Sequence, residues 1–226
     1  MTLTERASKY LNTLQRNSEF YLDRETTIEY CNKKKLIVSE NLLDIQVHFS
    51  GYKLTIKNDI GNGFLLKLFS KADVKNNREI EVYHFDKTYV VDFGEHDTAQ
   101  FRFFITNSGE LCTLGHQDKD TPNIICSSIE KFVEQYALQD ELALQTKNLY
   151  YHTITNAEEL IKLLERDFTK IEECSDKYSQ WFTNGQLTVD KGTWLDRPEF
   201  YLHIYGRKKE NCDKFVENLR HYKIIA

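Results

Sequence analysis

At 226 residues, with 40% hydrophobic and 29% charged side chains, the chain is long enough for one large domain or a domain with an appendage, and its composition excludes disorder. Nine Gly and two Pro exclude collagen-like and proline-rich architectures and weigh against an enzyme built from many glycine-rich loops. Thirty Lys plus Arg against thirty-five Asp plus Glu leave a net charge of -5, which removes the basic footprint of a direct nucleic-acid binder.

The N-terminal segment has Ala7, Tyr10, Leu11 and Leu14 at helical spacing, so an amphipathic helix opens the chain. It lacks the apolar stretch of a secretory signal, and the longest hydrophobic run, Gly63 to Phe69, is too short to span a bilayer. After a charged stretch from Asp23 to Lys35, Ser39 caps a short predicted helix carrying Leu42, Leu43, Ile45 and Phe49, and Gly51 stops it. From Tyr52 to Leu114 short β-branched and aromatic runs alternate with turn signals, which predicts an antiparallel meander. Its strands are Lys53 to Lys57, Gly63 to Phe69, Glu79 to Phe85, Tyr89 to Phe93, Gln100 to Thr106 and Leu111 to Leu114. The last two are joined by a tight turn at Asn107-Ser108-Gly109-Glu110.

A serine-capped helix follows, with Ile129, Phe132, Val133 and Tyr136 on one face, extending through the polar residues beyond Gln139. The segment Asn148 to Thr155 is the expected boundary between a first domain, residues 1–147, and an extension, residues 148–226, packed on it. In the extension Asn156 or Thr155 caps a long predicted helix running through Leu160, Leu164, Phe168, Ile171 and Tyr178. Two strands, Gln186 to Asp190 and Glu199 to Tyr205, and a last helix bearing Phe215, Val216 and Leu219 complete an α-β-β-α order. The fold class is α+β, an antiparallel sheet flanked by helices.

Several constellations bear on chemistry. His84 with Asp86, His96 with Glu95 and Asp97, and His116 with Asp118 set imidazole beside carboxylate, the material of general-base catalysis and of metal ligation. Their spacing matches no metal-site signature, so surface or hairpin-end histidines are the simpler reading. Gly61-Asn62-Gly63 lacks the third glycine and the helix of a phosphate loop. Cys112 and His116 lack a second pair to complete a zinc site, and Cys126 before a serine cap reads as a small buried residue. Five scattered cysteines without a CxxC pair point to a reducing, cytoplasmic compartment. No cofactor, metal or catalytic residue is assigned. The thirteen Tyr and fourteen Phe supply interface anchors as well as core, with Trp194 and Tyr201 the candidate anchors. Asp92, Glu95 and Asp97, with Asp118 and Asp120, form a candidate acidic surface for steering a basic protein partner.

The order of elements resembles the SMI1/KNR4 (SUKH) superfamily over roughly residues 1–145. The resemblance is carried by Phe101-Arg102-Phe103-Phe104-Ile105-Thr106-Asn107-Ser108-Gly109-Glu110-Leu111-Cys112-Thr113-Leu114, which is similar to that family's closing hairpin, and by Ile124-Ile125-Cys126-Ser127-Ser128-Ile129-Glu130-Lys131-Phe132-Val133, similar to the helix start after it. Asn41 to Phe49 occupies the place of the family's leucine-proline segment, although Asp44 stands where the proline is usual and Asn107 where an aspartate is usual. The resemblance implies a non-catalytic binding fold, used as a bacterial immunity protein that neutralises a toxin, often a nuclease, or as a cytosolic regulatory scaffold. A third reading, an enzyme using the His/Asp neighbours, rests on the residues alone. A nuclease toxin must be basic to hold phosphate, so a negative partner suits it.

Overall fold

The structure is a computed structural model that describes residues 3–59, 63–114, 121–193 and 199–226. The chain divides into two compact units, residues 1–137 and 138–226. It is an α+β protein, with seven α-helices and three antiparallel sheets among the described residues.

The first unit begins with α1 (Glu5–Thr13), where the Thr4 hydroxyl accepts from the Ala7 amide at 3.2 Å and Ala7, Tyr10 and Leu11 form the buried stripe. A 3-10 turn (Ser18–Phe20) leads to α2 (Arg24–Lys33), a helix within the stretch expected only to be charged. Asp23 caps α2 by accepting from the Thr26 amide at 2.8 Å, and its buried residues are Thr27, Tyr30 and Cys31, a face too polar to give a helical hydrophobic stripe. The capped helix expected after Ser39 is α3 (Glu40–His48), and Gly51 takes φ +99° just beyond it.

The meander forms two sheets. The small one has the order β1-β2-β5, from β1 (Lys53–Leu54), β2 (Phe64–Leu65) and β5 (Glu95–His96). Between them lies α4 (Lys71–Lys75), closed by a capping box in which Ser70 and Asp73 satisfy each other's backbone amides. The larger sheet has the order β3-β4-β6-β7-β8, from β3 (Val82–His84), β4 (Tyr89–Asp92), β6 (Phe103–Thr106), β7 (Leu111–Leu114) and β8 (Pro122–Cys126). Gly109 at φ +89° makes the β6-β7 turn, as expected for a tight hairpin. Then α5 (Ile129–Gln145) follows, with the unit division falling inside it. The Phe64 ring sits edge-on between Phe103, at 4.9 Å, and Phe132 of α5, at 5.0 Å. Glu134 of α5 accepts from both the amide and the hydroxyl of Thr4 at 2.7 Å, which ties the start of α1 to α5.

The second unit contains the two helices and two strands expected, with three more strands. The supposed boundary segment is itself a strand, β9 (Asn148–Thr153). The helix α6 (Ala157–Asp167) stops well short of Tyr178, because Phe168 takes an extended backbone and β10 (Thr169–Lys170) follows. Phe168, Ile171 and Tyr178 therefore do not belong to the helix: apolar residues at helical spacing continued into a turn and strand region. With β11 (Gln180–Thr183), β12 (Leu187–Thr193) and β13 (Phe200–Gly206) these strands form a sheet of order β10-β11-β12-β13-β9, and α7 (Lys209–His221) closes the unit. One sheet face presents Phe182, Val189, Leu202 and Ile204 to Leu160 and Leu164 of α6 and Phe215, Val216 and Leu219 of α7. Strand alternation puts Trp181, Asp190, His203 and Tyr151, aligned across four strands, on the opposite face.

Candidate functional site

In the first unit, register aligns Asp92, Phe104, Cys112 and Ile124 on one face of the larger sheet, with Tyr83, Val90 and Thr106 aligned beside them. Val90, Phe104 and Cys112 form a buried apolar patch with Phe85, Leu114 and Ile124 at its margins. Above it the Tyr83 ring stands edge-on to Phe104 at 5.5 Å and remains 38% exposed. The Arg102 guanidinium lies 5.2 Å from the Phe104 ring centroid and bonds both Glu81 oxygens, at 2.8 and 2.6 Å, and Asp92 at 2.9 Å. Tyr83 also donates to Glu81. The paired Arg102 hydrogen bonds, then the Tyr83 hydroxyl, hold the Glu81 carboxyl down at about 2. Two carboxylates share one guanidinium, so this face is an aromatic patch with one surplus negative charge.

Of the other expected acidic residues, Glu95 and Asp97 are each paired. Glu95 accepts from Lys67 at 2.7 Å. Asp97 meets Lys53 at 2.7 Å and accepts from the Gly63 amide at 3.2 Å, and the Lys53 contact holds its carboxyl below the ordinary range. Glu95 and Asp97 therefore add little uncompensated charge to the steering surface. Asp118, Asp120 and Trp194 lie outside the described residues, as do His116, Gly61 and Asn62.

The histidines and cysteines occupy different settings. His84 is exposed on β3. The His96 Nδ1 accepts from the Thr98 and Ala99 amides at 3.2 and 3.1 Å, closing a tight turn, and burial lowers its pKa despite the nearby Asp97. All five cysteines are buried and free, and burial pushes the Cys112 thiol up to about 12. Among the described residues no three His, Cys, Asp or Glu side chains gather closely enough to hold a metal ion, and no helix is long and apolar enough to cross a membrane.

Tyr201 belongs to a buried polar cluster of the second unit. The Asp190 carboxyl is 2% exposed and accepts from the Ser179 hydroxyl at 3.0 Å and from Tyr201, with the His203 Nδ1 3.6 Å away. Trp181 Nε1 donates to the same Ser179 oxygen at 3.0 Å. The Tyr201 ring stacks on His203 at 4.3 Å and covers Gly192, where an added Cβ would come within 2.2 Å of that ring. Tyr151 meets the other side of His203 edge-on at 4.4 Å. Serine, histidine and aspartate are all present, but the carboxylate stands between the other two. The Ser179 hydroxyl donates to Asp190 rather than to the imidazole, so the arrangement orients Tyr201 and supports the sheet face, unlike a nucleophile paired with its base.

Asp190 and His203 were not singled out from the sequence. Their signal is a polar residue in each of two strands, Leu187-Thr188-Val189-Asp190 and Leu202-His203-Ile204, at the positions alternating with core residues. The pairing of the two positions depends on the β12-β13 register.

Together these features define an α+β protein of two compact units, the first with a mixed aromatic and acidic sheet face and the second with a buried histidine-carboxyl cluster. Comparison of the chain with known protein families, with curated proteins and with solved structures finds no match.

Proposed function

We propose that the protein is a non-catalytic cytoplasmic binding protein of the SMI1/KNR4 kind, which neutralises a basic toxin domain by covering it. The observation that supports this reading is the face built from Glu81, Tyr83, Asp92, Arg102 and Phe104. An exposed aromatic ring over a dry patch is the kind of anchor that dominates protein interfaces, and a surplus carboxylate beside it selects a cationic partner. The β6-β7 hairpin, on which the family resemblance rests in part, contributes Phe104 and Cys112 to this face. The overall charge of -5 adds weak long-range attraction for a basic domain.

The test is neutralisation. A basic domain captured from the native cell extract is produced in a bacterial host with and without this protein. Wild-type protein is expected to relieve its toxicity, and Tyr83→Ala combined with Asp92→Lys to lose at least tenfold in affinity while melting at the wild-type temperature. Capture of a salt-resistant assembly of housekeeping enzymes, with no toxic component, would favour a regulatory scaffold instead.

A further inference from the structure

A groove opens in the second unit between α7, the β11-β12 turn and the end of α6, with a volume of about 620 Å³. That is the size of a small-molecule site, roughly 300–1,000 Å³. Helical spacing builds one wall, because Asn211, Phe215 and Asn218 recur at four and three residues along α7 and share a stripe. Asn184 and Gln186 of the turn form the second wall. Phe168, the first residue after α6, packs against Phe215 at 5.3 Å and with Leu187 supplies the apolar part of the lining.

The amides of this groove are only partly used by the fold. Asn184 Oδ1 accepts from the Gln186 and Leu187 amides at 3.0 and 2.9 Å, which fixes the side chain and leaves Nδ2 as a spare donor. Asn211 Nδ2 donates to Gln186 Oε1 at 3.1 Å, which leaves Gln186 Nε2 as a second donor and Asn211 Oδ1 as an acceptor. The half-buried Asn218 side chain has no hydrogen-bond partner among the described residues, so it offers a donor and an acceptor together.

Apart from His221, charge in the groove cancels. Arg166 neutralises Asp167 by bonding both its oxygens, at 2.8 and 2.7 Å, and Lys214 and Glu217 of the α7 wall are opposite in sign. A phosphate, a carboxylate or a metal ion therefore meets no concentrated field of the opposite sign. A wholly apolar ligand would strip water from the spare amide groups without replacing it. Peptides are taken up on a strand edge or through apolar anchors, and here Phe215 and Leu187 are 8% and 5% exposed, too covered to anchor a peptide side chain. What remains is an uncharged molecule with many hydroxyls and one apolar face.

We propose that this groove binds a neutral oligosaccharide. Adjacent hydroxyls of one sugar bond the Asn218 amide, hydroxyls further along bond Asn184, Gln186 and Asn211, and a ring lays its carbon-hydrogen face on Phe168. Asn211 and Asn218 lie about 10 Å apart along the helix axis, so a short chain of sugars satisfies both ends where a single ring does not. The site goes beyond the toxin-binding reading, uses residues of the second unit alone, and stands or falls separately from it.

The experiment is titration of the isotope-labelled full chain, followed by its backbone amide resonances. Maltotriose, cellotriose, mannotriose and triacetylchitotriose are the probes, with N-acetyl-trialanine amide and inorganic phosphate as controls. At least one trisaccharide is expected to shift the amides of residues 184–187 and 211–218 saturably, with a millimolar or tighter dissociation constant, and the controls to leave them in place. Asn218→Ala and Asn211→Ala should each weaken that binding by about tenfold, as the loss of two hydrogen bonds implies. Asn218→Ala should also melt at the wild-type temperature, because its side chain makes no hydrogen bond among the described residues, so this variant reads binding alone. No shift of these residues by any of the four trisaccharides, equal binding of the capped peptide or of phosphate, or binding untouched by both substitutions would overturn the proposal.

Discussion

Asp190 and His203 sit together on the sheet of the second unit, and burial acts on them in opposite directions. It holds the carboxyl up at about 7 against an ordinary 3.8, and the imidazole down at about 4 against 6.5. Taken alone, Asp190 contributes stability that is fully present below pH 3.8 and lost as pH rises toward 7. His203 alone contributes stability that is fully present above pH 6.5 and lost as pH falls toward 4. Across the shared window the folded protein keeps a proton on Asp190 while the unfolded chain keeps one on the histidine, so the two slopes cancel. Relative to wild type, His203→Gln should therefore make stability fall with rising pH, and Asp190→Asn should make it rise, each by at most about 1.4 kcal/mol per pH unit. Urea unfolding at several pH values between 4 and 7 reads both slopes, and slopes of the same sign would contradict the assignment. Gly192 is a second test of this cluster, since Gly192→Ala forces the Tyr201 ring off its place and away from Asp190. A loss of roughly 1–3 kcal/mol is expected in the same unfolding measurement.

Among the elements, α3 and the β6-β7 hairpin hold one another. The Ser39 hydroxyl caps α3, accepting from the Leu42 amide at 3.3 Å, and donates to the Asn107 carbonyl of the turn at 2.6 Å. Asn41 Nδ2 donates to the Ser108 carbonyl at 2.8 Å, and an added Cβ on Gly109 would meet Asn41 at 3.3 Å. Ser39→Ala should thus remove a cap and leave a turn carbonyl without its donor, costing about 1–2 kcal/mol in urea unfolding. A change under a few tenths of that would show that the hairpin does not depend on this bond. These elements were legible beforehand because their signals are local: a serine before an apolar stripe, a glycine in a turn. The polar helix α2 and the strands β5 and β8 were not expected at all, and β1 and β2 were expected longer than the two residues each has, because these elements depend on partners far along the chain.

At the scale of the whole molecule, the net charge of -5 and the surplus carboxylate on the first unit act together on any basic partner. Raising ionic strength should slow its association while leaving dissociation nearly unchanged, which stopped-flow binding at several salt concentrations measures. A salt-insensitive association rate would remove electrostatic steering from the account. Composition and period by themselves determined the α+β class, the helix α1, the serine-capped helices α3 and α5, the β6-β7 hairpin and the last helix, since each rests on neighbours within a few residues. They also marked Asp92 and Tyr201 as candidates. Only the tertiary structure decided that Arg102 lies between Glu81 and Asp92, that Lys67 and Lys53 offset Glu95 and Asp97, and that Asp190, His203 and Tyr151 line up across three strands. The physical reason is register. Side-chain alternation along a strand is written in its own residues, but which residue faces which across a sheet is set by the packing of the whole unit.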